Sequence, residues 1–141
     1  MSNKITKTLC PESKRLDFLP KHIGKKMLQF EATVYGYMDS FAESYTGGYW
    51  EFYTLSNGGF YMSLSQEAPL HLVQNTNHFN DEMSADAASI GINLYAIYSL
   101  LEEASNSNNK EELKRFQLAY HHLKEFAYQH EEASKILRLI D

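Results

Sequence analysis

The 141-residue sequence predicts an α+β fold: a small antiparallel β-meander of about three strands laid against four or so helices, one of them central and buried. Three observations predict it. Apolar residues recur at helical spacing between Met27 and Ala42. An aromatic strand–turn–strand pattern occupies residues 49–64. The stretch from Ala85 to Glu103 is apolar nearly all round.

Residues 1–14 are polar and contain Pro11, and are expected to form a flexible basic arm ahead of one domain spanning 15–141. Arg15 to Pro20 reads as a short apolar anchor ended by proline. A helix follows Gly24, with Met27, Phe30, Val34, Tyr35, Met38, Phe41 and Ala42 on its apolar face. Thr46-Gly47-Gly48 breaks it. Tyr49 to Leu55 is rich in aromatic strand formers, Ser56-Asn57-Gly58-Gly59 is hairpin-turn chemistry, and Phe60 to Leu64 returns. Leu70 to Gln74 is the expected third strand, and Asn75 to Met83 a polar connection. Ser84 is a natural N-cap for the central helix, with Asp86 in its first turn. Asn109 and Glu112 have near capping-box spacing, and Leu113, Phe116, Tyr120, Leu123 and Ala127 form a single stripe. A last short helix turns Ala133, Ile136, Leu137 and Ile140 inward.

Charge is segregated along the chain. Net charge is −5, yet residues 1–30 hold seven basic side chains against two acids, and residues 31–109 hold ten acids and no Lys or Arg. Two readings are open: an acidic surface that attracts a basic partner or repels nucleic acid, or a middle that is mostly core with its few exposed positions acidic. The acidic stretch does not amount to DNA mimicry, because B-DNA carries about one charge per 1.7 Å and ten acids over 79 residues fall well short. The aromatic hairpin lacks the basic residues that a single-strand binding surface needs, so direct nucleic-acid binding is not expected there. The remaining nucleic-acid alternative is the N-terminal arm with Lys4, Lys7 and Lys14.

Catalytic and metal chemistry find little footing. A single cysteine, Cys10, excludes an internal disulfide and a Cys-rich zinc module. His121 and His122 are neighbours, about 100° apart on a helix, and no metal or cofactor is expected. No nucleophile elbow or phosphate loop occurs. The enzyme alternative is a cluster of His78, Asp81 and Asp86, although acids near a helix N-terminus are explained by the helix dipole. The longest charge-free apolar stretch, Ala87 to Leu101, is shorter than the roughly 20 residues of a membrane span, and a cytoplasmic protein is expected.

One resemblance is specific. Arg15-x-x-Phe18-Leu19-Pro20-x-His22-x-Gly24, Val34-Tyr35-x-x-Met38, the run Tyr45 to Met62 and Ser84-Ala85-Asp86-Ala87 together resemble the antirestriction proteins of the ArdB/KlcA type. The resemblance runs from about residue 15 to 103, and more weakly to the end. It implies a protein of mobile elements that relieves host type I restriction of unmodified incoming DNA, and it brings no catalytic residues. The expectation is therefore a non-enzymatic inhibitor that touches the type I restriction–modification complex, directly or indirectly. The candidate contact residues are Tyr45, Tyr49, Glu51 and Asn57 on the hairpin, with Asp81, Glu82 and Asp86 before and at the start of the central helix.

Overall fold

A computed structural model describes residues 4–141. Its α+β architecture contains five α-helices and two small antiparallel sheets. The strands are β1 (Lys7–Leu9), β2 (Trp50–Leu55), β3 (Phe60–Leu64), β4 (Leu70–Gln74) and β5 (Phe79–Met83). The helices are α1 (Arg15–His22), α2 (Met27–Phe41), α3 (Ala85–Asn106), α4 (Lys110–Tyr128) and α5 (Ala133–Ile140).

The first sheet has the order β1-β2-β3. Trp50 pairs with Leu64, Phe52 with Met62 and Thr54 with Phe60, so these side chains share one face. That face is covered by α1 and α2: Phe18 stacks on Phe52 at 4.8 Å, and Phe30 meets Phe60 edge-on at 6.1 Å. The opposite face carries Glu51, Tyr53, Tyr61 and Ser63.

The expected small three-stranded antiparallel sheet forms, but its third strand is β1 and not Leu70–Gln74. Leu70–Gln74 pairs with β5 in a separate hairpin, because the outer edge of β3 is already occupied. Two side chains of α3 take it. Asn93 accepts from the Met62 N–H at 3.0 Å and donates to the Met62 carbonyl at 2.8 Å; the Ser89 hydroxyl accepts from the Leu64 N–H at 2.9 Å. Buried backbone polar groups must find partners, and here a helix supplies them instead of a strand. This buries all five residues of β3 and makes α3 the central helix.

The polar connection after residue 75 contains a strand that was not expected. Phe79 and Met83 of β5 are buried at its two ends, but the Asn-Asp-Glu between them has low strand propensity and hides the pattern. The turn is fixed by Asn77, whose side chain accepts from Phe79 N–H at 3.1 Å and donates to the Leu139 carbonyl of α5 at 2.7 Å. His78 sits in that turn with φ of 63°.

Residues 1–3 of the expected arm lie outside the described residues. The rest of it is not a free tail: Lys7, Thr8 and Leu9 pair with Leu55, Thr54 and Tyr53 of β2, and Cys10 N–H donates to the Phe52 carbonyl at 2.8 Å. The extended chain simply uses β2's second edge. Helix α1 runs on past Pro20, which forfeits one helical hydrogen bond without ending the helix.

The two caps form. Ser84 Oγ accepts from Ala87 N–H at 3.1 Å, and Asn109 Oδ1 from Glu112 N–H at 3.1 Å. In α5 the fully buried side chains are Ile136 and Leu139, whereas Ala133, Leu137 and Ile140 are half-buried. No helix among the described residues is long and apolar enough to cross a membrane.

Candidate functional site

Asp86, in the first turn of α3, is the centre of the best-connected polar cluster. Its Oδ1 accepts from the Tyr61 hydroxyl and from Ser63 Oγ, each at 2.8 Å, and Lys7 Nζ lies 3.5 Å away. Its Oδ2 is 3.0 Å from His130 Nε2. Glu132 N–H donates to His130 Nδ1 at 3.0 Å, so Nδ1 carries no proton and the Nε2–H is the donor to Asp86. Glu132 in turn accepts from the backbone N–H and hydroxyl of Ser84. The helix start, the sheet and the α4–α5 junction are thereby joined through one carboxylate.

The electrostatics follow from this arrangement. Burial pushes the Asp86 carboxyl up, but the hydrogen bonds from His130, Tyr61 and Ser63 and the charge of Lys7 outweigh it and hold its pKa at about 2. Burial and the adjacent Asp86 drive the Tyr61 hydroxyl up, keeping it a donor. Lys7 also lies 4.4 Å over the Tyr53 ring, which stacks on Tyr61 at 5.5 Å. Beside the cluster runs a cleft of about 860 Å³, with Lys7, Asp86, Phe126, His130 and Glu132 in its wall.

The structure sorts the seven candidate residues into different places. Tyr49 is exposed, and the Arg15 guanidinium lies 4.7 Å over its ring. Half-buried Tyr45 accepts from Trp50 Nε1 at 3.3 Å. Glu51 stands half-exposed on β2, opposite Ser63. Asn57 braces the hairpin turn: its Oδ1 accepts from Gly59 N–H at 3.0 Å, and its Nδ2 donates to the His122 carbonyl of α4 at 2.9 Å. Asp81 is paired with Arg138 at 3.0 Å and Lys135 at 3.9 Å, and the Arg138 hydrogen bond holds its pKa below the usual range. Glu82 is exposed, and among the described residues only its backbone is engaged, the carbonyl accepting from Lys135 Nζ at 2.6 Å. Glu51 and Asp86 come together around Ser63 and Tyr53; Asp81 and Glu82 lie apart, on β5.

The enzyme alternative is not assembled, because Asp86 takes His130 as its histidine while His78 and Asp81 stay in the β4–β5 hairpin. Among the described residues, no three His, Cys, Asp or Glu side chains converge as a metal site. Of the three arm lysines offered to nucleic acid, Lys7 is engaged on Asp86 and Tyr53. Sequence reasoning missed Tyr61, Ser63, His130 and Glu132. His130 lies 44 residues from Asp86, and no local pattern announces that pairing.

The overall α+β architecture is one that other chains share. Residues 43–141 match the family described as Antirestriction protein, and the chain belongs to that family. It is similar to the antirestriction protein KlcA of Escherichia coli, 42% identical over 140 residues, covering 97% of this chain and 94% of KlcA. It is 37% identical over 142 residues to the uncharacterized protein YafX of Escherichia coli K12, covering 98% of this chain and 89% of that one. Among solved structures it matches, with a TM-score of 0.88 and 40% identity, one from work on KlcA and ArdB, covering 100% of this chain and 98% of the other. Those proteins have a novel fold and antirestriction activity against type I DNA restriction systems in vivo but not in vitro.

Proposed function

We propose that this protein relieves type I restriction of unmodified incoming DNA, acting in the cytoplasm as a non-enzymatic inhibitor through protein–protein contact with the restriction system, direct or indirect. The observation that carries this reading is the whole-chain likeness to solved antirestriction proteins, at a TM-score of 0.88 and 40% identity. The Asp86–His130 pair supports contact over chemistry. Both imidazole nitrogens are engaged, and the carboxylate already serves four side chains, so neither is poised to take a proton from a substrate. Activity in vivo but not in vitro, in the solved relatives, supports a route that needs other components of the cell.

The contact residues in this reading are the exposed or half-exposed members of the candidate set, Tyr49 and Glu51 on the first hairpin and Glu82 apart on β5, with half-buried Tyr45. Asn57, Asp81 and Asp86 are already engaged within the protein: Asn57 by Gly59 and His122, Asp81 by Arg138 and Lys135, and Asp86 by Tyr61, Ser63 and His130. The test is the plating of unmodified phage on cells with an active type I system. Wild-type protein is expected to raise survival, and Tyr49→Ala with Glu51→Lys and Glu82→Lys to abolish the gain at unchanged melting temperature. Full protection by the variant removes this surface; no protection by the wild type removes the function. Pull-down of tagged protein from the same cells separates the routes: recovered restriction subunits mean direct contact, and their absence an indirect one.

A further inference from the structure

A second cleft, far along the chain from Asp86, has the opposite electrostatic character. It encloses about 360 Å³ between α1, the β2–β3 turn and α4, and Lys21, His22, Lys114, Arg115 and His122 line it against one acid, Glu111. In a chain of net charge −5 this convergence is local and cationic. Among the described residues, none of these three cations has an ion-pair partner, and neither imidazole has a hydrogen-bond partner. The protein's ion pairs involve Lys7, Lys26, Lys135, Arg138, His121 and His130 instead.

Several of these groups are held by packing. The Arg115 guanidinium lies on Gly24, where φ is +79° and a methyl group would stand 2.4 Å from Nη1. His122 packs on the turn, where a methyl on Gly59 would stand 2.7 Å from its Cβ. His22 is wedged between Phe18, at 4.5 Å, and Phe60, at 4.6 Å. Burial first, then the charges of Lys21 and Arg115, lower the His22 pKa to about 4. A neutral imidazole there offers an N–H donor without adding to the cationic repulsion.

We propose that this cleft binds the phosphate group of a small molecule, with the Arg115 fork and the Lys21 and Lys114 ammonium groups neutralising the anion, and His22 and His122 donating hydrogen bonds. A guanidinium fork fits a phosphate with two parallel bonds, and lysines add point charge. A cleft lined by one sign of charge concentrates the opposite ion. The volume lies within the range of small-ligand sites, roughly 300–1,000 Å³, and the acids on the rest of the surface oppose a long polyanion. This assignment is independent of the antirestriction reading.

The test is titration of the full-length protein with inorganic phosphate and, separately, a nucleoside monophosphate, following the histidine ring signals by NMR. Saturable shifts of His22 and His122, with His71 and His78 unmoved, are expected at a Kd on the order of 1 mM or tighter. Tighter binding of the monophosphate identifies a phosphate ester as the ligand class; equal binding identifies free phosphate. Arg115→Gln and, separately, Lys114→Gln should each weaken binding about tenfold. Lys114 is exposed and without a packing role, so its variant reads binding with the fold intact. Lys124→Gln, in a separate cleft, should change nothing. The proposal fails if no saturable shift occurs, if all histidines shift alike, if both variants bind as the wild type does, or if a single-stranded oligonucleotide binds more tightly with a steep salt dependence.

Discussion

His130 donates from Nε2 to Asp86 Oδ2 across 3.0 Å, while its own Nδ1 is fixed by Glu132 N–H at the same distance. The pair closes a path from the α4–α5 junction to the first turn of α3, and it governs how the fold responds to acid. The Asp86 pKa is about 2 in the folded chain against an ordinary 3.8. The unfolded chain therefore takes up the proton first as pH falls. The stabilisation is complete above about pH 4 and is lost as pH falls towards 2. The pKa difference corresponds to a contribution on the order of 2 kcal/mol. Urea denaturation of the wild type should show this loss, and Asp86→Asn should be less stable near neutral pH and flatter across the acid range. A variant with the wild-type acid profile would show that the carboxylate is not the group responsible.

Asn93 is the next most consequential side chain. Replacing it with Ala leaves the Met62 N–H, the Met62 carbonyl and the Ser89 carbonyl without their bonds at 3.0, 2.8 and 2.7 Å, in a site with no solvent access. Unmet buried polar groups cost about 1–3 kcal/mol each, so a loss of about 3 kcal/mol or more in unfolding free energy is expected. Chemical denaturation checks it. Asn93→Leu should not rescue, because the missing element is polarity and not volume.

Gly91→Ala tests helix packing against helix propensity. Alanine favours a helix by about 1 kcal/mol over glycine. At this position its methyl would stand 2.6 Å from Leu139 Cδ2, and Leu139 is fully buried. Overpacking costs about 1–3 kcal/mol. The clash is expected to win, with a lower melting temperature. Gly91→Ala combined with Leu139→Val should recover part of the loss.

Asn57→Ala should weaken the hairpin and its tie to α4 together, by about 1–2 kcal/mol, since one side chain serves Gly59 N–H and the His122 carbonyl. Any drop in phage protection by this variant should follow the loss of folded protein in cells. Glu51→Lys should instead reduce protection with the melting temperature unchanged. Comparing protection with folded amount for the two separates a bracing residue from a contact residue.

Local signals carried much of the fold. The hairpin between Trp50 and Leu64, the Ser84 and Asn109 caps and the stripe of α4 are written in nearest-neighbour patterns, and each formed. Pairing between distant segments was not legible. Nothing in Leu70–Gln74 says that the edge of β3 is already taken, since that depends on Asn93, 31 residues from Met62. Strand β5 escaped because its two apolar residues flank three polar ones. The same limit applied to the candidate site. Asp86 could be read at a helix start, but its partners Lys7, Tyr61 and His130 come from three other parts of the chain. Charge segregation also misled in part, because folding sets Lys26 on Glu103, Lys7 on Asp86, and Arg138 on Asp81.

Because α3 occupies the Met62–Leu64 margin with amide and hydroxyl groups, the edge that the three-stranded sheet leaves open to a foreign chain among the described residues is Lys7–Leu9, a ribbon three residues long with every residue exposed. So short a margin offers few rungs to a newcomer, and Lys7 disfavours stacking identical copies there. The sheet is thereby guarded against fibre-like growth on one side by a helix and on the other by brevity and charge.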